Sequence, residues 1–166
     1  DDVQGVLALP DTLLILDEAY YEFSGVSCAA MTERFPNLLV TRSADKAFSL
    51  AGARLGYAVA GDTFLEELGE LFTYLPQPTV YAALAALEEV DAARERIERI
   101  IALREEMYRE LRYMGTECYR TETNFLVLRT ENPDMVHELA ERGILISGLE
   151  GQMPPGFVRV TVGREE

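Results

Sequence analysis

Two short, unbroken apolar runs govern what this chain can become. Thr12-Leu13-Leu14-Ile15-Leu16 ends at Asp17, and Leu38-Leu39-Val40-Thr41-Arg42 follows, with room between them for a short helix over residues 27–36, ending at Pro36. Runs without polar alternation suit strands buried on both faces, the pattern of a parallel sheet. Strand, helix and strand within about thirty residues read as a βαβ unit. Tyr57-Ala58-Val59-Ala60 predicts a third strand, a helix follows over 62–73, and residues 3–9 predict the end of a helix before Pro10.

Leu75-Pro76-Gln77-Pro78 punctuates the chain. Beyond it, residues 79–114 carry helical periodicity with a break near Val90-Asp91. Ile97, Ile100, Ile101, Leu103 and Met107 form an apolar stripe, while Arg94, Glu95, Glu98, Arg99 and Glu105 face water. Gly115 sits where a helix would close. Strands near 117–120, 124–129, 144–147 and 157–162, with a helix near 132–142, then give a small α+β arrangement. The expected architecture is α/β: part of a larger α/β domain over 1–77, then a small α+β domain over 78–166 that includes a bridging helix.

Charge and cysteine usage exclude several function classes. The formal net charge is −14, a field that repels phosphate backbones and argues against nucleic-acid partners. An anionic ligand would have to be held by local cations and backbone N–H groups. Cys28 and Cys118 lie far apart, and the single histidine, His137, does not complete a zinc set, so no metal is expected. Two free, buried thiols fit a reducing, cytoplasmic setting. No apolar run approaches about twenty residues, so no membrane span is expected. The start, Asp1-Asp2-Val3-Gln4, lacks the basic flank of a signal peptide, and its lack of an initiator Met fits a chain cut from something longer.

Lys46 follows the second strand in a segment of small residues. By residues alone it reads either as a surface lysine or as an imine-forming amine, which needs a partly desolvated pocket or a nearby cation. Arg54, eight residues on, can offer a fork to a phosphate. Asp17 can begin a turn or face a protonated ring nitrogen, and Tyr20 can pack at a rim or donate its phenol to an oxyanion. Arg159 reads as a surface cation on a strand or as a carboxylate clamp. His137 reads as a solvated or helix-capping residue, and Met107, Met114, Met135 and Met153 as packing residues.

The order and spacing of several segments carry further information. Asp17-Glu18-Ala19-Tyr20 with Glu22-Phe23, Arg42-Ser43-x-x-Lys46-Ala47-Phe48, and Leu50-Ala51-Gly52-x-Arg54-x-Gly56-Tyr57 resemble the cofactor core of fold-type I pyridoxal-phosphate (PLP) aminotransferases. Within that group the wording is most similar to histidinol-phosphate aminotransferases, and the chain corresponds to about the last half of such an enzyme. The resemblance implies PLP as cofactor, Lys46 as the residue that holds it covalently and moves the substrate's α-proton, and Asp17 on the pyridine nitrogen. It further implies Tyr20 on the phenolic oxygen, Ser43 and Arg54 on the phosphate, and Arg159 on the substrate carboxylate. Asn124-Phe125 fits as a turn and packing element. The implied reaction is transamination of histidinol phosphate with 2-oxoglutarate, in histidine biosynthesis, by a homodimer whose small-molecule partners are an amino donor and a 2-oxo acid. An aromatic or broad-specificity aminotransferase, a PLP decarboxylase of the same fold, and a truncated, inactive domain stand as alternatives.

The match breaks at two places. Position 45 is Asp where the family usually carries Ser, so Asp45 is expected to weaken phosphate binding or to turn away and pair with Arg42 or Arg54. The elements such enzymes carry upstream of these motifs have no counterpart here, so the isolated chain is expected to have little or no activity.

Overall fold

The computed structural model describes residues 2–69 and 74–163. The chain divides into two units, Asp1–Ala93 and Arg94–Glu166. The sequence places its boundary near 75–80, one helix earlier. Helix α4, Gln77–Glu88, belongs with the first unit, where the Thr79 hydroxyl donates to the Ala53 carbonyl at 3.0 Å.

In the first unit, helix α1 (Asp2–Leu7) precedes β1 (Leu14–Asp17), which pairs in parallel with β2 (Leu38–Ser43). The register sets Leu14 beside Leu38 and Asp17 beside Thr41. A short helix α2 (Tyr21–Ser24) and a 3-10 turn (Ala29–Glu33) lie between the two strands. The helix expected over 27–36 is therefore only that tight turn, because Pro36 ends it after little more than one winding. Strand β3 (Gly56–Ala60) returns antiparallel on the other side of β2, giving the order β1-β2-β3. Helix α3 (Asp62–Leu68) follows; residues 70–73 of the expected helix lie outside the described residues.

The central strand satisfies the expectation of burial best. Leu38 and Val40 are fully buried and cluster with Leu7, with Leu14, Leu16, Met31, Phe35 and Val59 packed around them. Each such side chain contributes about 1.5–3 kcal/mol by leaving water. β1 departs from the expectation. Its burial alternates, and Ile15 is 57% exposed. Leu14 and Leu16 put one face on the cluster, while Ile15 leaves the other more than half open.

The second unit is a four-stranded antiparallel sheet, order β4-β5-β7-β6, formed by Glu117–Tyr119, Phe125–Arg129, Phe157–Thr161 and Ser147–Gly148. The strand expected over 144–147 shrinks to that last two-residue piece. Met107, Tyr108 and Leu111 of helix α5 (Val90–Tyr113) and Met135 and Val136 of α6 (Met135–Glu141) pack on a cluster of Cys118, Leu126, Leu128 and Val158. Met114 is 75% exposed and Met153 38%, so these two are not core residues as expected. Gly115 closes α5 with φ 83°; its N–H donates to Arg112 and that of Thr116 to Leu111, a Schellman arrangement.

One charge of α5 faces inward. Arg104 is 2% exposed, donates to the Thr123 carbonyl at 2.8 Å and pairs with Glu105 at 3.0 Å. Glu105, expected to face water, also bridges to Arg120 at 2.9 Å. Burial pushes its carboxyl up, but the hydrogen bonds and charges of Arg120 and Arg104 outweigh that and hold it below the usual range. Cys28 and Cys118 are both unpaired.

Candidate active site

The adjacent parallel strands β1 and β2 end on the same side of the sheet, and the chemistry-bearing segments leave from there. Ligands of open α/β sheets bind beyond the carboxyl ends of strands. Asp17 closes β1 and turns the chain, accepting the Ala19 N–H at 3.0 Å, while the Glu18 N–H donates to Thr41 of β2 at 2.8 Å. Asp17 and Tyr20 line one hollow of about 260 Å³ with Glu18, Ala19, Tyr21 and Ser24. Tyr20 packs toward Phe23, ring centroids 6.3 Å apart.

Glu18 and Arg42 clasp this turn, a role that motif spacing does not assign. Glu18 accepts from the Ser27 hydroxyl at 2.8 Å, the Cys28 N–H at 2.6 Å and Arg42 at 3.0 Å. The Arg42 guanidinium lies 3.7 Å from the centroid of the Tyr21 ring. Burial works against its charge, but hydrogen bonds with Tyr57 and Glu18 hold the guanidinium more firmly protonated than usual. A half-buried cation between an acid and an aromatic face fixes the strand ends against one another. The signal in the sequence is an acid and an arginine at the ends of two neighbouring strands. Nearby Glu22 has a buried Oε2 with no hydrogen-bond partner among the described residues, and burial pushes its carboxyl up.

The loop after β2 gathers the remaining first-unit candidates. The Ser43 hydroxyl accepts the Asp45 N–H at 3.1 Å, and Ser43 pairs in register with Gly56. A Cβ on Gly56 would lie 3.2 Å from the Arg42 carbonyl, so glycine permits this close return. Lys46 Nζ is 3.8 Å from Asp45 Oδ2, with its side chain 35% exposed. Arg54, in left-handed backbone at φ 54°, donates to Asp45 Oδ2 at 2.8 Å. Of the two partners expected for Asp45, the structure selects Arg54, because Glu18 already holds Arg42. Lys46, Ser43 and Arg54 thus converge on Asp45, and Asp17 and Tyr20 on the hollow at the neighbouring strand end.

Arg159 belongs to the second unit, in the middle of β7 beside Val127 and Ser147. Its guanidinium lies 5.3 Å from the Phe125 ring centroid, and its Nε is buried without a hydrogen-bond partner among the described residues. Asn124-Phe125 leads into β5, with the Asn124 carbonyl accepting Val162 N–H at 2.9 Å. His137 is exposed beside Glu141 at 3.5 Å, as its solvated reading expects.

Residues 2–166 match the family model for aminotransferase class I and II. The chain belongs to the class I and II aminotransferases. It is 36% identical over 164 residues to a histidinol-phosphate aminotransferase of Chromohalobacter salexigens, a match that covers 94% of this chain and 47% of that protein. A crystal structure of histidinol-phosphate aminotransferase from Sinorhizobium meliloti in complex with pyridoxal-5'-phosphate matches with a TM-score of 0.80 at 26% identity, covering 98% of this chain and 48% of that one. An L-threonine-O-3-phosphate decarboxylase from Porphyromonas gingivalis has a TM-score of 0.82 at 23% identity, covering 99% and 54%, which speaks to fold alone. This aminotransferase-family chain spans about half the length of the curated relatives it matches.

Proposed function

We propose that the chain is the lysine-bearing part of a PLP-dependent aminotransferase that transaminates histidinol phosphate against 2-oxoglutarate, in a homodimer. The observation that carries this is the placement of Asp17 and Tyr20 in one hollow at the end of β1, with Lys46 in the loop leaving the adjacent parallel strand. The donor set suits PLP: a carboxylate for the ring nitrogen, a phenol for the phenolic oxygen, an amine, and a hydroxyl and guanidinium for the phosphate.

Bound there, PLP supplies the electron sink that stabilises negative charge at the substrate's α-carbon. Asp17 would face the ring nitrogen with a carboxylate and favour its protonated form. Tyr20 donates to the phenolic oxygen. Lys46 would hold the cofactor and supply the amine that moves the substrate's α-proton, a task for a general base. Ser43 and Arg54 hold the phosphate. Arg159 takes the substrate carboxylate; its buried Nε lacks a partner among the described residues, and a planar fork pairs bidentately with a carboxylate.

The relatives' names favour histidinol phosphate over the decarboxylase reading, since the decarboxylase match is one of fold only. The test is a donor panel with 2-oxoglutarate and added PLP, run on the 166-residue chain and on a full-length protein carrying it. We expect little turnover from the chain by itself and the highest kcat/KM for histidinol phosphate in the full-length protein. Preference for an aromatic amino acid, or release of carbon dioxide from threonine phosphate, contradicts the assignment.

A further inference from the structure

We infer that Asp45 is a built-in rival for the cofactor's phosphate, occupying Arg54 and lowering this chain's preference for a phosphorylated pyridoxal over the unphosphorylated one. The inference rests on the PLP reading above. Three observations carry it. Asp45 Oδ2 accepts from Arg54 at 2.8 Å and lies 3.8 Å from Lys46 Nζ, so one carboxylate engages both cations of the loop. The Asp45 side chain is 10% exposed while that of Arg54 is 78% exposed, so the acid is the fixed member of the pair and the guanidinium the accessible one. The Asp45 N–H is committed to the Ser43 hydroxyl, which binds the acid's backbone to the other phosphate candidate.

An ion pair with one exposed partner is worth little net, so a phosphate that offers more negative charge and more acceptor oxygens can take Arg54 from Asp45. The cost lies in what remains. Asp45 cannot swing freely into water, and its charge then sits within a few ångströms of a phosphate carrying between one and two negative charges. Like charges at such separation oppose one another by an amount that depends on local screening. Pyridoxal forms the same bond to Lys46 but brings no phosphate, so it meets no such opposition. The residue at position 45 therefore sets the ratio of the two affinities; its contact with Lys46 Nζ acts on both aldehydes alike and cancels in that ratio.

The experiment titrates the 166-residue chain with PLP and, separately, with pyridoxal, in wild type, Asp45→Ser and Asp45→Asn. Binding is followed by the visible band of the lysine-bound aldehyde, and the adduct is fixed with borohydride and mapped by peptide mass. Asparagine keeps the shape of the side chain and removes its charge, which guards against a serine variant that folds poorly. In both variants the ratio of PLP affinity to pyridoxal affinity is expected to rise at least about tenfold over wild type. Labelling of Lys46 with an unchanged ratio in both variants overturns the inference alone. An equal gain for PLP and pyridoxal also overturns it, because the effect would then not involve phosphate. Absence of any Lys46 adduct in all three proteins overturns the cofactor reading and the inference together.

Discussion

Lys46→Ala abolishes the borohydride-stable PLP adduct of this chain. The expectation is sharp because Lys46 is the chain's one lysine, so the only other primary amine is the N-terminus. A surface lysine and the N-terminal amine would each react slowly and to similar extents at high PLP concentration. A lysine in the loop that leaves the strand next to that of Asp17, sharing Asp45 with Arg54, is expected to react to completion at low concentration, since a cofactor site contributes binding energy and orientation that a free amine lacks. Peptide mass after reduction checks the result. Near-stoichiometric modification of Lys46 in wild type and only trace modification of the N-terminus in Lys46→Ala support the account; equal labelling of both amines contradicts it.

Asp17→Ala separates the cofactor's attachment from its chemistry. The variant keeps the lysine and the phosphate residues, so Lys46 should still be labelled. It loses the carboxylate proposed to face the ring nitrogen. Asp17 is exposed in this chain, so losing its charge is expected to cost about 1 kcal/mol, a rate loss of roughly fivefold. The measurement is the rate at which an amino donor converts the bound cofactor, read from the change in its visible band, in a full-length protein carrying the substitution. Asp17→Glu keeps the charge and is expected to recover part of the rate. Loss of labelling along with rate would mean that Asp17 serves the local turn, where it accepts the Ala19 N–H, rather than the ring.

The parts of the fold that were legible are those written in unbroken apolar runs. Leu38-Leu39-Val40 has no polar interruption, and the strand it forms is the most buried in its sheet. The same pattern misjudged β1, because an apolar run does not say whether both faces will be covered; Ile15 shows that one is not. The Pro36 stop was visible, but the tight 3-10 geometry before it depends on how the chain enters from Cys28, which periodicity does not encode. Arg104 was missed although it stands four residues after Ile100 and three after Ile101, on the buried stripe of α5. Its partner, the Thr123 carbonyl, comes from a loop nineteen positions away.

The candidate site divides along similar lines. Asp17 and Tyr20, three apart after a strand, fall in one hollow, as spacing around a turn allows. The fate of Asp45 turned on a competition between two acids for two arginines. Glu18 takes Arg42 because β1 and β2 end side by side, which leaves Arg54 to Asp45. Only the pairing of the strands decides that allocation, so the sequence left both partners open.

The central claim, that Asp17 and Lys46 serve one ring, is tested most directly by a crystal structure of the borohydride-reduced wild-type chain with PLP attached. The account predicts the ring on Lys46 Nζ and its nitrogen at about 2.7–3.2 Å from an Asp17 carboxylate oxygen. A ring bound to Lys46 but turned away from Asp17, with solvent or packed side chains between them, would contradict it.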